Sequence, residues 1–133
     1  MDLATRLLIV GGTFVLAVGL LLGIPMAAAR SEDPRAPRYL FAAHLAAIIQ
    51  GGMLLALTVA VGFSPLSAGV ETAAAALLVG GVALFDTGLT INWVQGVEDG
   101  FAEKSLGYRI ASAGTPLVLL GAGIVCYGVV AAL

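Results

Sequence analysis

Four apolar runs, each long enough to cross a lipid bilayer, constrain the fold of this chain more than any other feature. The runs cover approximately Leu7–Ala29, Tyr39–Phe63, Val70–Val94 and Gly107–Ala132. A helix needs about 20 apolar residues to cross the hydrocarbon, where every backbone amide must find its partner within the protein. The pattern therefore predicts an all-α membrane protein with four transmembrane helices.

The composition of the whole chain excludes a water-soluble domain. Of its 133 residues, 60% are hydrophobic and 11% are charged, and the mean hydropathy is +1.07. A soluble domain of this size exposes too much surface for so few charges to cover. The net charge of -2 gives no indication of a nucleic-acid partner. We expect residues 1–133 to form a single domain surrounded by lipid.

The connections between the apolar runs are short. Pro34 and Pro37 interrupt the helix in the first connection, because proline lacks an amide donor and restricts the residue before it. Short connections place consecutive helices side by side and antiparallel, which predicts an antiparallel four-helix bundle. The first run, with Arg6 before it and the small residues Ala27–Ala29 at its end, resembles a signal peptide. Its apolar stretch is longer than such a peptide needs, so we interpret it as a span.

The distribution of positive charge predicts which side of the membrane each connection faces. Five of the six Lys and Arg residues lie on the connections after the first and third runs, namely Arg30, Arg35, Arg38, Lys104 and Arg109. Cytoplasmic loops are enriched in Lys and Arg. We therefore expect a multi-pass protein of a bacterial-type inner membrane, with these two connections cytoplasmic and both termini extracytoplasmic.

Polar side chains within the runs concentrate in one half of the bilayer. They are His44 and Gln50 in the second run, Asp86, Thr87, Thr90, Asn92 and Gln95 towards the end of the third, and Tyr108, Arg109, Ser112 and Thr115 in the fourth. Because the runs alternate in direction, the start of the second, the end of the third and the start of the fourth share one depth. A polar cluster is therefore expected in the cytoplasmic half of the bundle.

Asp86 and His44 each allow two interpretations. An ionisable group within hydrocarbon costs on the order of 2.5–3.5 kcal/mol. Asp86 therefore either avoids lipid, by pairing with Arg109 or lying near the interface, or faces a ligand cavity. His44 is the only histidine, and a lone histidine is most often a hydrogen-bonded core residue. However, the small residues Ala47 and Gly51 leave space beside it for another helix or a flat cofactor. One histidine suffices to hold haem iron, whereas zinc needs three or four protein ligands.

The segment Pro37–Met53 resembles the second helix of two related families, the hydroxylaminobenzene mutases and the styrene oxide isomerases. Both are small four-helix membrane proteins with an Ala/Ser-His pair and an amide side chain six residues later, followed by glycine. Here these positions are Ala43-His44 and Gln50-Gly51, with Gln50 where the families usually have asparagine. Asn92-Trp93 in the third run is similar to the Ala-Asn-Trp of the mutases.

The resemblance implies an isomerase that catalyses a redox-neutral intramolecular rearrangement of a small hydrophobic substrate, either epoxide to carbonyl or aromatic hydroxylamine to aminophenol. It also implies a homotrimer that holds haem b between subunits, with His44 as axial ligand and ferric iron as the Lewis acid on the substrate oxygen. Gln50 would position that oxygen. Asp86 or Asn92 would stabilise the developing carbocation or orient the substrate.

The chain departs from the epoxide isomerases at two positions. Counting from Asn92, Gly96 stands where a tyrosine of their pocket is expected, and their acid aligns nearer Gly88 than Asp86. The choice between epoxide and hydroxylamine therefore stays open. Two other functions also stay open, namely a haem- or quinone-linked membrane anchor and a small membrane transporter.

Overall fold

The computed structural model describes residues 1–133 and contains four long helices and one short helix. The elements are α1 (Leu3–Glu32), α2 (Arg38–Gly62), α3 (Ala68–Val94), α4 (Gly100–Glu103) and α5 (Leu106–Ala131). The four long helices are each long and apolar enough to cross a membrane. The predicted all-α, four-helix, multi-pass architecture is therefore confirmed, and each predicted run matches its helix to within four residues at either end. The short α4 was not predicted.

Side-chain caps define where two of the helices begin. Asp2 accepts a hydrogen bond of 2.7 Å from the backbone N–H of Thr5, which satisfies one of the free amides in the first turn of α1. That hydrogen bond holds the pKa of Asp2 below its usual value. Ser105 caps α5 in the same way, because its hydroxyl oxygen accepts from the N–H of Tyr108 at 3.1 Å.

The bundle consists of two closely packed helix pairs, α1 on α2 and α3 on α5, and glycines allow the close approach. A Cβ added at Gly19 of α1 would lie 2.9 Å from the amide nitrogen of Ile48 in α2. A Cβ added at Gly88 of α3 would lie 2.6 Å from the amide nitrogen of Ala111 in α5. Because lipid supplies no hydrophobic driving force between helices, this close backbone packing is what favours their association.

The surface of the bundle is apolar, as a surface in contact with lipid should be. Phe14, Leu20 and Leu120 are each more than half exposed, and a soluble monomer rarely exposes apolar surface of this extent. The centre is filled by fully buried side chains such as Leu54 and Leu78. The second pair of helices meets the first mainly through α3, which contacts both α1 and α2.

Candidate functional site

The predicted site residues lie towards one end of the bundle, where the connections after α1 and α3 are found. His44 is six residues after the start of α2 and Asp86 is eight residues before the end of α3. At a rise of 1.5 Å per residue, these positions are roughly 9 Å and 12 Å from the helix ends. Gln50 is deeper, at roughly 18 Å, which is close to the middle of a 30 Å hydrocarbon layer.

His44 is held by the backbone of α1. Its Nδ1 lies 2.7 Å from the carbonyl oxygen of Gly19, and a carbonyl can only accept, so this geometry assigns the proton to Nδ1. The other ring nitrogen, Nε2, then carries a lone pair, has no partner within the chain and is not among the enclosed polar atoms. Gly23 leaves space beside the ring, since a Cβ there would lie 3.2 Å from Cε1 of His44.

This arrangement fits a histidine that binds a metal through Nε2. Metal-bound histidines commonly donate their second ring N–H to a carbonyl, which fixes both the tautomer and the orientation of the ring. No group of three or more His, Cys, Asp and Glu side chains is placed to hold a metal ion. Haem is a metal cofactor that one histidine can hold.

Asp86 is buried without a partner. Its side chain is 7% exposed, and both carboxylate oxygens are enclosed and accept no hydrogen bond. The predicted alternative of a pair with Arg109 is wrong, because Arg109 lies on the exposed side of α5. The residues of α5 that contact α3 at this level are Gly107 and Ala111, which point a different way around the helix.

A cavity of about 280 Å³ lies between α1 and α3, and Asp86 forms part of its wall. Most of the lining is apolar, and the polar members are Asp86, Thr87 and Thr90. The hydroxyl of Thr90 donates to the backbone carbonyl of Asp86 at 2.8 Å and so does not satisfy the carboxylate. The lining side chains of α1, Phe14, Val15 and Val18, were not predicted, because nothing polar in α1 marks that face.

Gln50 faces another side of the bundle. Its Oε1 is enclosed without a hydrogen-bond partner, and the side chain lines a smaller cavity of about 130 Å³ with Phe85, Thr115, Val118 and Leu119. Six residues along a helix turn a side chain well away from its starting direction. Within one chain, His44, Gln50 and Asp86 therefore line no common cavity.

Asn92 connects the end of α3 to the start of α5. It is 2% exposed, and its Oδ1 accepts a hydrogen bond of 2.7 Å from the hydroxyl of Ser105, the residue that caps α5. Nearby, the N–H of Gly100 donates to the hydroxyl of Tyr39 at 2.7 Å and so ties α4 to the start of α2. Asn92 lines none of the cavities described above.

The two departures from the epoxide isomerases both have a structural basis. Gly96 has a φ of +64°, a conformation that glycine adopts readily and a tyrosine would not. Gly88 packs against the backbone of α5, where a Cβ would lie 2.8 Å from the Cβ of Ala111. An acidic side chain has no space at that position, whereas Asp86 borders a cavity.

Comparison of the chain with protein-family models, with curated proteins and with solved structures found no match. The likeness to the mutases and the epoxide isomerases therefore depends on the residues of Pro37–Met53 and on Asn92-Trp93.

Proposed function

We propose that this chain is a membrane isomerase that rearranges a small hydrophobic substrate without net redox change. The observation that carries the proposal is the environment of His44. Its Nδ1–H is held by the carbonyl of Gly19, and its Nε2 is left unpaired and accessible.

His44 would hold ferric haem b, which would supply a Lewis acid for the substrate oxygen when bound. The Gly19 carbonyl orients the imidazole through the hydrogen bond from Nδ1. The carboxylate of Asp86 supplies negative charge to a substrate on which positive charge develops. Gln50 would hold the substrate oxygen, and Asn92 would keep the polar end of α3 in register with α5.

A site that uses His44, Gln50 and Asp86 together requires more than one copy of the chain, because the three line no common cavity within one chain. His44 contacts the face of α1 that carries Gly19 and Gly23. The Asp86 cavity contacts the face that carries Phe14 and Val18. Because these faces diverge within one chain, the proposal includes a homotrimer in which one subunit's His44 lies near a neighbouring subunit's cavity.

The size and lining of the cavity favour a small and largely apolar substrate. Its volume of about 280 Å³ is below the roughly 300–1,000 Å³ typical of sites for drug-sized ligands. Aromatic epoxides and aromatic hydroxylamines are both of suitable size and polarity, and both partition into lipid. A dry cavity would also protect a cationic intermediate from capture by water.

The proposed location is a bacterial-type inner membrane, with the connections after α1 and α3 in the cytoplasm. Five of the six positive charges belong to this side of the protein, in the pattern of cytoplasmic loops. Hydrophobic substrates would reach the bundle from the bilayer itself.

Turnover by membranes that contain the chain and are supplied with haem tests this proposal. Styrene oxide and hydroxylaminobenzene are given separately, and the aldehyde and the aminophenol are quantified by chromatography. We expect one substrate to be converted, with Gln50→Ala slower by roughly 10²–10³, the scale of losing one transition-state donor. Gln95→Ala is the matched control, because Gln95 is exposed at the end of α3.

Two results would contradict the proposal. The first is that wild-type membranes convert neither substrate although the protein is present and carries haem. The second is that Gln50→Ala and Gln95→Ala turn over substrate at the same rate, which would remove Gln50 from the site.

A further inference from the structure

We propose that the cavity between α1 and α3 binds a small organic cation, an ammonium group on an apolar body, with Asp86 as its counter-ion. The inference stands on the cavity alone and does not require that His44 hold haem. Asp86 is only 7% exposed, and neither of its carboxylate oxygens has a hydrogen-bond partner. An unpaired ionisable group in hydrocarbon is energetically costly, so its presence indicates a functional role.

No positive group of the chain itself fills this role. Asp86 accepts no hydrogen bond from any side chain, and the hydroxyl of Thr90 donates to the backbone carbonyl of Asp86 instead. Arg109, the nearest cation along α5 by sequence, is exposed. We therefore infer that a ligand supplies the missing donor, and that it would enter the cavity that Asp86 borders.

The lining favours an organic cation over a metal ion. Hard cations such as Ca²⁺ and Mg²⁺ take six or more oxygen ligands, but the polar lining residues here are only Asp86, Thr87 and Thr90. The rest of the wall consists of apolar side chains, among them Phe14, Val15 and Val18 of α1. An ammonium head needs few acceptors, and its hydrocarbon body would replace the empty space along α1.

The size and shape of the cavity limit the ligand further. Its volume of about 280 Å³ suits a single aromatic ring with a short aminoalkyl substituent. Phe14 lines the cavity, and an aromatic side chain can add a favourable contact with a cation. The proposal requires the Asp86 carboxylate to turn from the wall towards the cavity when the ligand enters.

The test compares benzylammonium with its neutral analogue benzyl alcohol. Binding to the full chain in lipid nanodiscs is measured by equilibrium dialysis, with empty nanodiscs to subtract partitioning into lipid. Wild-type protein is expected to bind benzylammonium, and Asp86→Asn to bind it roughly 10- to 100-fold more weakly, the scale of a hydrogen bond to a charged group. Benzyl alcohol should bind both proteins alike.

A second pair of variants locates the ligand. Ala83→Phe places a ring in the cavity and should abolish binding of both probes. Ala76→Phe is the matched control, because Ala76 is an exposed alanine two turns earlier on α3 that lines none of the cavities described. This variant should bind both probes as the wild type does.

Three results would overturn the proposal. One is the absence of benzylammonium binding by the wild type. Another is equal binding of benzylammonium by wild type and Asp86→Asn, which would make the cavity a general apolar site. The third is displacement of benzylammonium by sodium but not by choline, which would assign Asp86 to a metal ion. A protein without haem or turnover would refute the proposed isomerase and leave this binding result unaffected.

Discussion

Replacing Gly88 with alanine is expected to destabilise the bundle, because α5 leaves no space for a methyl group on this face of α3. The new Cβ would lie 2.6 Å from the amide nitrogen of Ala111 and 2.8 Å from its Cβ. It would be closer still to the carbonyl oxygen of Gly107. Non-bonded atoms pack at about 3.5–4.0 Å, so the two helices would have to separate by roughly 1 Å.

The magnitude follows from what has to move. The nearest atoms are backbone atoms of α5, which cannot rotate away as the end of a side chain could. Overpacking of this kind costs about 1–3 kcal/mol in the free energy of unfolding. Alanine in a helix is also favoured over glycine by up to about 1 kcal/mol. The loss of stability of Gly88→Ala relative to the wild type would therefore be smaller than the cost of the clash alone.

Comparison with Gly80→Ala separates the cost of the clash from the gain in helix propensity. Gly80 is on the same helix, and a Cβ there would meet nothing within 4 Å, so it gains the same propensity without the clash. We expect Gly88→Ala to be less stable than Gly80→Ala by about 1–3 kcal/mol, measured by reversible unfolding in mixed micelles with helicity as the signal. Equal stabilities would refute the close packing of α3 on α5.

Three further predictions concern Asp86, the topology and the assembly. Asp86→Leu should raise the free energy of unfolding by about 1–3 kcal/mol, because two enclosed oxygens lack partners; a loss of stability would reveal a partner within the protein. Single cysteines at Glu32 and Glu103, in a Cys126→Ala background that removes the only native thiol, should react with an impermeant reagent from the cytoplasmic side only. Labelling from outside would reverse the orientation. Native mass measurement in detergent should give a trimer, and a fully active monomer would exclude sites between subunits.

The four spans could be predicted because their signal is strong and local. A run of about 20 apolar residues typically forms a helix that crosses the bilayer. The prolines at 34 and 37 mark where the chain turns. The short α4 has a weaker signal that could have been used. Asp99 accepts hydrogen bonds from the N–H groups of Phe101 and Ala102, and Glu103 accepts from the N–H of Asp99. An acidic residue at the N-cap, as Asp99 is here, is typical of a helix start.

The contacts of the site residues could be predicted less well, because they depend on how each helix is rotated. The depth of Asp86 and Arg109 was apparent from their places in the runs. The direction in which each side chain points around its helix was not. Gly107 and Ala111 of α5 meet α3 and so turn Arg109 outwards. The partner of His44 is a backbone carbonyl on α1, and every residue has one, so no sequence pattern distinguishes Gly19. Asn92 was apparent as a polar residue, but its bond to Ser105 depends on the turn that α4 makes.

The visible absorption spectrum of the purified protein, prepared from cells supplied with haem, tests the central claim most directly. The account predicts a Soret band in the wild type and in Gln50→Ala, and its loss in His44→Ala while the helices still insert and retain their helicity. The hydrogen bond from Nδ1 to Gly19 leaves Nε2 as the only imidazole nitrogen able to bind iron. A colourless wild-type protein that still rearranges substrate would contradict the account and leave His44 to act as an acid on the leaving oxygen.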